Sequence, residues 1–448
     1  MASTLIFDEY ELTMSQSFWR EGRTGEVAFE LVLRSLPRHY GYAVSAGLAD
    51  ALDFLAQFAL SGPDLDALRA AGRFDPAFLD HCAGIGFTGD VDAIAEGTPV
   101  GAGTPLLRIT APRIEASLVE GALLAIVSHQ TAVATRARRI VDAAAGRPVS
   151  DFSLRRLPGV GSARATARAA WIGGVDATAT TSAGIDLGIA TTGTMAHHYV
   201  LAHGPAGEQQ AFIEFLREFP QRAVVLVDTY DPSTGVAHAI AASRATGIAL
   251  QGVRLDSGDL GAESRRARAL LDRAGLTQTQ IVATNDLTED RVAALVAAGA
   301  PIDAFGVGTA LATSAAIPAL SAVYKLVAQR SATGWEPVMK HAAGKTSDPG
   351  RHQVFRPDVG PDVLALEDED LPGRALLEPV MRAGQVLAVQ PSLDAARNRC
   401  AAAVAQLPNA MRQPRATSAL RVRPSPRLTA LARTLVRATR SAQKLTTV

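Results

Sequence analysis

The stretch "AVVLVDTYDPSTGVAHAIAASRATGIALQGVRLDSGDLGAESRRARALLDRAG", residues 223–275, decides the fold class. Its apolar run stops at Asp228, and the helix pattern "TGVAHAIAASRAT" follows. "IALQGVRLDSGD" then runs into "GAESRRARALLDRAG" in the same order. Downstream, "QIVATND" precedes "TEDRVAALVAAG", and "IDAFGVGTA" comes next. Asp228, Asp256, Asn285 and Gly308 therefore recur at steps of 28, 29 and 23 residues (256−228, 285−256, 308−285). That is the period of strand–helix units, and strands alternating with helices imply a parallel sheet. Four units in succession fit a barrel better than a flat sheet.

In each unit the polar cluster sits at the carboxyl end of the strand, the face on which barrel enzymes gather catalytic residues. Asp, Asn and Gly also start turns and cap helices for purely local reasons. Capping accounts well for one such cluster and poorly for four in a row.

Outside this region the pattern is looser. "EVAFELVLRSLP" reads as a strand, and "FTGDVDAIAEGTPVGAGTPLLRITAP" as strands broken by Gly/Pro turns. Residues 113–145 carry a long helical periodicity, one helix or two with a kink. After Lys325 come the basic segment "VMKHAAGKTSDPGRHQVFR", short strands and a terminal helix, "SPRLTALARTLVRATRSA", whose basic face reads as solvated.

The chain has 448 residues, 48% hydrophobic and 20% charged, enough for two or three domains with a sizeable core. Lys plus Arg equals Asp plus Glu at 44 each, which argues against nucleic acid or an anionic membrane as the main partner. Cys82 and Cys400 lie far apart and outside any CxxC pattern, so no disulfide framework or zinc site is indicated. Asp8, Glu9 and Glu11 interrupt the apolar stretch a signal peptide needs, and no run reaches the roughly 18 apolar residues of a membrane span. The expected location is cytoplasmic.

Four clusters suit a phosphate-rich ligand. Gly306, Gly308 and Thr309 in "AFGVGTAL" offer bare backbone N–H groups after a late strand. "GVRLDSGDL" places Arg254, Asp256 and Asp259 on one loop, and alternation turns Arg254 and Asp256 to the same side; a loop salt bridge is the equal alternative. "DFSLRRLPG" offers Phe152 as a stacking face and Arg155 and Arg156 as anion holders, against two ordinary surface arginines. Lys340, Lys345 and Arg351 can clamp a pyrophosphate, although three cations on a loop are common. "TTGTMAHHYV", residues 191–200, adds two adjacent histidines in a chain that has nine.

Taken in order, "FDEYELTMSQSFW", "FTGDVDAIAEGTPV", "DFSLRRLPG", "GTMAH", "VDTYD", "GVRLDSGDL", "FGVGTALATS" and "KTSDPGRHQVFR" resemble the nicotinate phosphoribosyltransferases, within the type II phosphoribosyltransferase group and its shorter prokaryotic branch. The resemblance spans roughly residues 5 to 400. It implies an α/β fold, an irregular TIM-like barrel over 113–330, with segments 1–112 and 331–448 together building an α+β domain. It also implies ATP-coupled transfer of phosphoribosyl from phosphoribosyl pyrophosphate to nicotinate, giving nicotinate mononucleotide in NAD salvage, a ligase-type overall reaction with Mg²⁺.

By the same resemblance His197 is the histidine that ATP phosphorylates, and Asp228 orients it. Tyr10, reaching across a homodimer interface, and Phe152 sandwich the pyridine ring. Arg155 and Arg254 approach the nicotinate carboxylate, with Thr194 close to the ring. Asp256 lies at the ribose, and Gly308 and Thr309 at its 5-phosphate. Arg34, Lys340 and Lys345 contact pyrophosphate, and Asp228 and Asp256 are the metal-ligand candidates.

The chain departs from the family pattern in several places. His198 stands where the family usually carries serine, and "DATATTSAG" replaces the usual "GTSN" stretch. Amide-using relatives carry an aspartate there; Ala179 and Thr180 are neutral, which favours the carboxylate substrate. Thr104 replaces a common glutamate, "GTALATSAAIP" lacks a basic and an acidic residue, and no serine follows Lys340. Two other readings stay open: a paralogue with a different pyridine or heterocycle acceptor, and a non-catalytic dimeric paralogue.

Overall fold

A computed structural model describes residues 5–313, 319–342, 347–387 and 391–445. The chain divides into two compact units, one of residues 1–132, 319–411 and 416–448, the other of 133–318 and 412–415.

The first unit is built on a seven-stranded sheet paired antiparallel throughout. Its order is Gly334–Pro337, Ala322–Ser331, Glu26–Leu33, Pro105–Pro112, Asp90–Ile94, Leu377–Arg382 and Gln385–Val386. Strand Glu26–Leu33 lies between partners from both ends of the chain, because Val27, Ala28, Leu31 and Leu33 are wholly buried and need cover. Strand Ala322–Ser331 belongs to this sheet and not to the barrel segment. Residues 113–143 form two helices, Arg113–Leu118 and Glu120–Ala143, which resolves the kink left open above.

The second unit holds a curled sheet of six parallel strands. They run in the order Ala177–Thr178, Val149–Asp151, Ala304–Val307, Gln280–Ala283, Gly252–Leu255 and Val224–Leu226. Val225, Leu226, Val253, Leu255, Ile281, Ala283, Phe305 and Val307 are buried on these strands, the near-continuous apolar pattern of a covered parallel sheet. Among the described residues the two outermost strands do not pair with each other, so the arrangement is half a barrel.

Helices Pro232–Thr246, Leu260–Arg273 and Glu289–Ala297 connect the last four strands. Each begins on a side-chain cap: Asp231 accepts from Thr234 N, Asp259 from Gly261 N and Ala262 N, and Thr288 from Arg291 N. The repeated polar residues thus serve two purposes. Asp231, Asp259 and Thr288 start helices, which removes Asp259 from the ligand candidates. Asp228, Asp256, Asn285 and Gly308 follow closely on strand ends.

Candidate functional site

The carboxyl ends of five of the six parallel strands line a cavity of about 850 Å³, and Asp228 and His197 are not among its wall residues. Phe152, Arg155, Arg156, Ala179, Thr194, His198, Arg254, Asp256, Gly308 and Thr309 all line it. Residues from five separate segments converge because parallel strands end on the same side of a sheet.

The turn carrying Phe152 is anchored from beneath. Phe152 N donates to Val307 O at 2.8 Å, and Asp151, 1% exposed, accepts from Ser153 N at 2.8 Å and Thr178 Oγ1 at 2.9 Å. Burial pushes the Asp151 carboxyl above its usual range, against these hydrogen bonds. A short 3₁₀ turn, Leu154–Arg156, then sends both arginines outward as exposed cavity walls.

The glycines opposite are bare for a packing reason. A Cβ on Gly306 would lie 2.6 Å from the Phe152 ring and 2.7 Å from Thr284 Cγ2, and one on Gly308 would lie 2.9 Å from Phe152 O. The Gly-x-Gly pattern makes room for Phe152, so the sequence argument for a phosphate cradle has a second, structural source.

Arg254 and Asp256 both face the cavity, as strand alternation requires. The Arg254 Nε is buried without a hydrogen-bond partner among the described residues. Burial lowers its guanidinium below the ordinary value, Asp256 and Asp228 pull it back up, and Arg155 adds to the lowering. A desolvated guanidinium beside a second arginine is an anion site in want of its anion.

His197 opens the short helix His197–Leu201. Its Nδ1 is 3.2 Å from Thr229 Oγ1, and its Nε2 is 3.4 Å from Asp256 Oδ2. Asp228 does not supply the orienting contact expected of it. Its Oδ2 is already engaged by Asp256 N at 2.6 Å and Ser257 Oγ at 2.7 Å, so it shapes the next strand's loop and acts on His197 only through Asp256. Asp228 Oδ1 is buried and has no partner among the described residues. Asp256 Oδ1 accepts from Thr284 Oγ1.

Asn285, marked at its strand end by the repeat, lines the cavity, and several further wall residues escaped sequence reasoning. Asn285 and Asp286 line it in left-handed conformations, φ 87° and 45°, which Asn and Asp adopt more readily than other non-glycine residues. Tyr199, Phe215, Glu218 and Phe219 come from the helical region after His197. The Asn-Asp pair after a strand was a readable signal; the aromatic residues look like ordinary helix core.

The remaining candidates belong to the first unit. Arg34 and Lys340 line a cavity of about 760 Å³, together with Lys325, Glu30, Asp348 and His352. Lys325 is pressed below its ordinary value by burial and by Arg34, with Asp348 and Glu30 opposing. Only the sheet register, which sets Lys325 opposite Glu30, reveals it. Lys345 lies outside the described residues.

Tyr10 stands on helix Glu9–Arg20 and is 45% exposed, while Ile6 and Met14, four residues to either side, are 60% and 39% exposed. Burial, Glu120 and Glu11 push the Tyr10 hydroxyl up to about 12. Beneath it Glu11 is wholly buried, with one oxygen accepting from Gly121 N at 3.2 Å; burial and Glu120 push its carboxyl up to about 8. Among the described residues no group of three or more His, Cys, Asp or Glu side chains is placed to hold a metal ion.

Known proteins resemble this chain in sequence and in fold. Residues 5–128 match the family described as the nicotinate phosphoribosyltransferase (NAPRTase) N-terminal domain. The chain is 42% identical over 415 residues to the nicotinate phosphoribosyltransferase pncB2 of Mycobacterium tuberculosis, covering 91% of this chain and 88% of that one. It is 39% identical over 359 residues to the nicotinate phosphoribosyltransferase of Bacillus subtilis, covering 79% and 73%. The crystal structure of human nicotinic acid phosphoribosyltransferase superposes with a TM-score of 0.82 at 26% identity, covering 96% of this chain and 99% of that one.

Proposed function

The chain belongs to the nicotinate phosphoribosyltransferase family, and we propose that it transfers phosphoribosyl from phosphoribosyl pyrophosphate to nicotinate, forming nicotinate mononucleotide. The observation that carries this reading is Arg254, a desolvated guanidinium whose Nε has no partner among the described residues, beside Arg155 in a cavity where Ala179 is neutral. Such a pocket favours a carboxylate acceptor over an amide. The Phe152 ring offers a face on which the pyridine stacks.

In the transfer, the pyridine nitrogen attacks the ribose anomeric carbon as the bond to pyrophosphate breaks and pyrophosphate leaves with the electron pair. Positive charge builds on the ribose, and Asp256 at the cavity wall suits its stabilisation. Gly308 and Thr309 suit the 5-phosphate, and the cavity of Arg34 and Lys340, taken by itself, suits a pyrophosphate. Mg²⁺ would neutralise charge on the pyrophosphate oxygens; of the two candidate donors Asp256 lines the cavity, whereas Asp228 does not and its Oδ2 is held by Asp256 N and Ser257 Oγ.

ATP coupling through a phosphohistidine is part of the same proposal. Asp256 lies 3.4 Å from Nε2 and the Thr229 hydroxyl 3.2 Å from Nδ1, so a carboxylate is at hand to hold a proton on one ring nitrogen while the other acts as nucleophile. ADP and phosphate are then formed beside the mononucleotide. The homodimer reading rests on the exposed Ile6, Tyr10 and Met14, which suit a second copy's site. A cytoplasmic location completes the proposal; among the described residues no helix is long and apolar enough to cross a membrane.

The deciding experiment follows mononucleotide, pyrophosphate and ADP from nicotinate, phosphoribosyl pyrophosphate and Mg²⁺, with and without ATP, for wild type and His197→Ala. Wild type should make mononucleotide faster with ATP and release ADP, whereas His197→Ala should keep a basal rate and lose the stimulation. Absence of mononucleotide in every condition would overturn the proposal.

A further inference from the structure

Glu30 and His352 are each 1% exposed, and both line the cavity that holds Arg34, Lys325 and Lys340. The strands bearing them come from opposite ends of the sequence. One Glu30 oxygen accepts from the His352 backbone N at 2.9 Å, and the other lies 2.7 Å from His352 Nδ1. Both carboxylate oxygens are thereby used, and Nδ1 carries a proton. Nε2 is buried and has no hydrogen-bond partner among the described residues. A buried polar atom left without a partner asks for an explanation, and a ligand is one.

The charges facing the ring set its protonation. Burial works against an imidazolium, but the Glu30 carboxylate and Asp348 outweigh it and lift His352 above the ordinary range, with Arg108 opposing. Arg108 also donates to the His352 backbone oxygen at 2.7 Å, and is itself balanced by Asp92 and Glu367. In the cavity wall, Arg34, Lys325 and Lys340 stand against Glu30 and Asp348, leaving one net positive charge when His352 is neutral and two when it is protonated.

We propose that His352, held by Glu30 in the cavity wall, carries a proton whose charge favours a phosphate oxyanion in this cavity, so that anion binding is linked to one proton. The inference rests on the reading of this cavity as the pyrophosphate subsite. With a neutral ring the Glu30 charge competes with the anion for the cations. An imidazolium cancels that charge from within the cavity wall. His352 is in these terms a positioning and affinity residue for the leaving group.

The test is calorimetric titration of inorganic pyrophosphate into the full chain between pH 6 and 9, in buffers of differing ionisation enthalpy. Wild type, His352→Gln, Glu30→Gln and Arg34→Ala are compared, so that the titration of pyrophosphate itself is common to all. Wild-type affinity should fall relative to His352→Gln by up to about tenfold per pH unit above the His352 pKa, with proton uptake there. His352→Gln should bind without that extra slope, and Glu30→Gln should move it to lower pH. An unchanged slope and proton count in both variants would overturn the role of His352. Failure of wild type to bind pyrophosphate, or Arg34→Ala binding as tightly as wild type, would overturn the subsite reading and the inference with it.

Discussion

Replacing Arg254 by glutamine separates the two acceptors that differ only in a carboxylate and an amide. Arg254 lies next to the end of strand Gly252–Leu255 and lines the cavity, its Nε buried and partnerless among the described residues; burial lowers its pKa, Asp256 and Asp228 work against that, and Arg155 adds to it. Glutamine keeps a hydrogen-bond donor of similar reach but removes the charge. A nicotinate carboxylate would then lose a charge-assisted hydrogen bond and meet the field of two aspartates with only Arg155 to offset it. A charge-assisted bond in such a setting contributes about 3 kcal/mol, so kcat/KM for nicotinate should fall about a hundredfold or more. Nicotinamide carries no charge and should change by less than about tenfold, which moves the nicotinate-to-nicotinamide ratio by at least about ten. The assay is initial-rate measurement with each acceptor at saturating phosphoribosyl pyrophosphate, with circular dichroism to confirm folding. An equal loss for both acceptors would refute the assignment and make Arg254 a scaffold for the Asp256 loop.

Gly306→Ala places a methyl 2.6 Å from the Phe152 ring and should raise the nicotinate KM about tenfold or more while costing about 1–3 kcal/mol of stability, read from kinetics and thermal melts; a variant with wild-type KM would show that Phe152 does not hold the ring. Glu11 is held at about 8 in the folded chain against an ordinary 4.5, so folding stability should drop by about 1.4 kcal/mol per pH unit between those values and level off above them. Glu11→Gln keeps the Gly121 hydrogen bond and should flatten that decline in urea melts followed by Trp19 fluorescence, since Trp19 lies on the same helix; parallel slopes for the two proteins would contradict the burial argument. Finally, Tyr10→Ala and His197→Ala chains, each impaired alone at low nicotinate, should regain about a quarter of the ATP-stimulated rate when mixed and allowed to exchange. No recovery in subunits shown to exchange would mean that Tyr10 serves its own chain.

Much of this was legible in one dimension. Apolar runs ending in Asp228, Asp256, Asn285 and Gly308 at strand–helix spacing dictated a parallel sheet, because that periodicity buries both faces of the strands and leaves their carboxyl ends polar. Arg254 and Asp256 sharing a side followed from strand alternation alone. The terminal strands were legible as strands but not as partners of one another, since pairing Glu26–Leu33 with Ala322–Ser331 is a contact across most of the chain and leaves no local trace.

Tertiary structure decided the roles of chemically equivalent residues. Asp228, Asp231, Asp256 and Asp259 are interchangeable in sequence, yet Asp231 and Asp259 cap helices, Asp228 is consumed by the Asp256 loop, and Asp256 reaches His197. The glycines that read as a phosphate cradle owe their bareness to Phe152, whose ring crowds Gly306 and whose backbone oxygen crowds Gly308. His352 sits in a basic motif that pointed to Lys340 and Lys345, and nothing local marks it as the partner of Glu30. Periodicity fixes where a side chain points along its own strand. What it meets there depends on sheet register and on chain hundreds of residues away, and that meeting sets its charge and its chemistry.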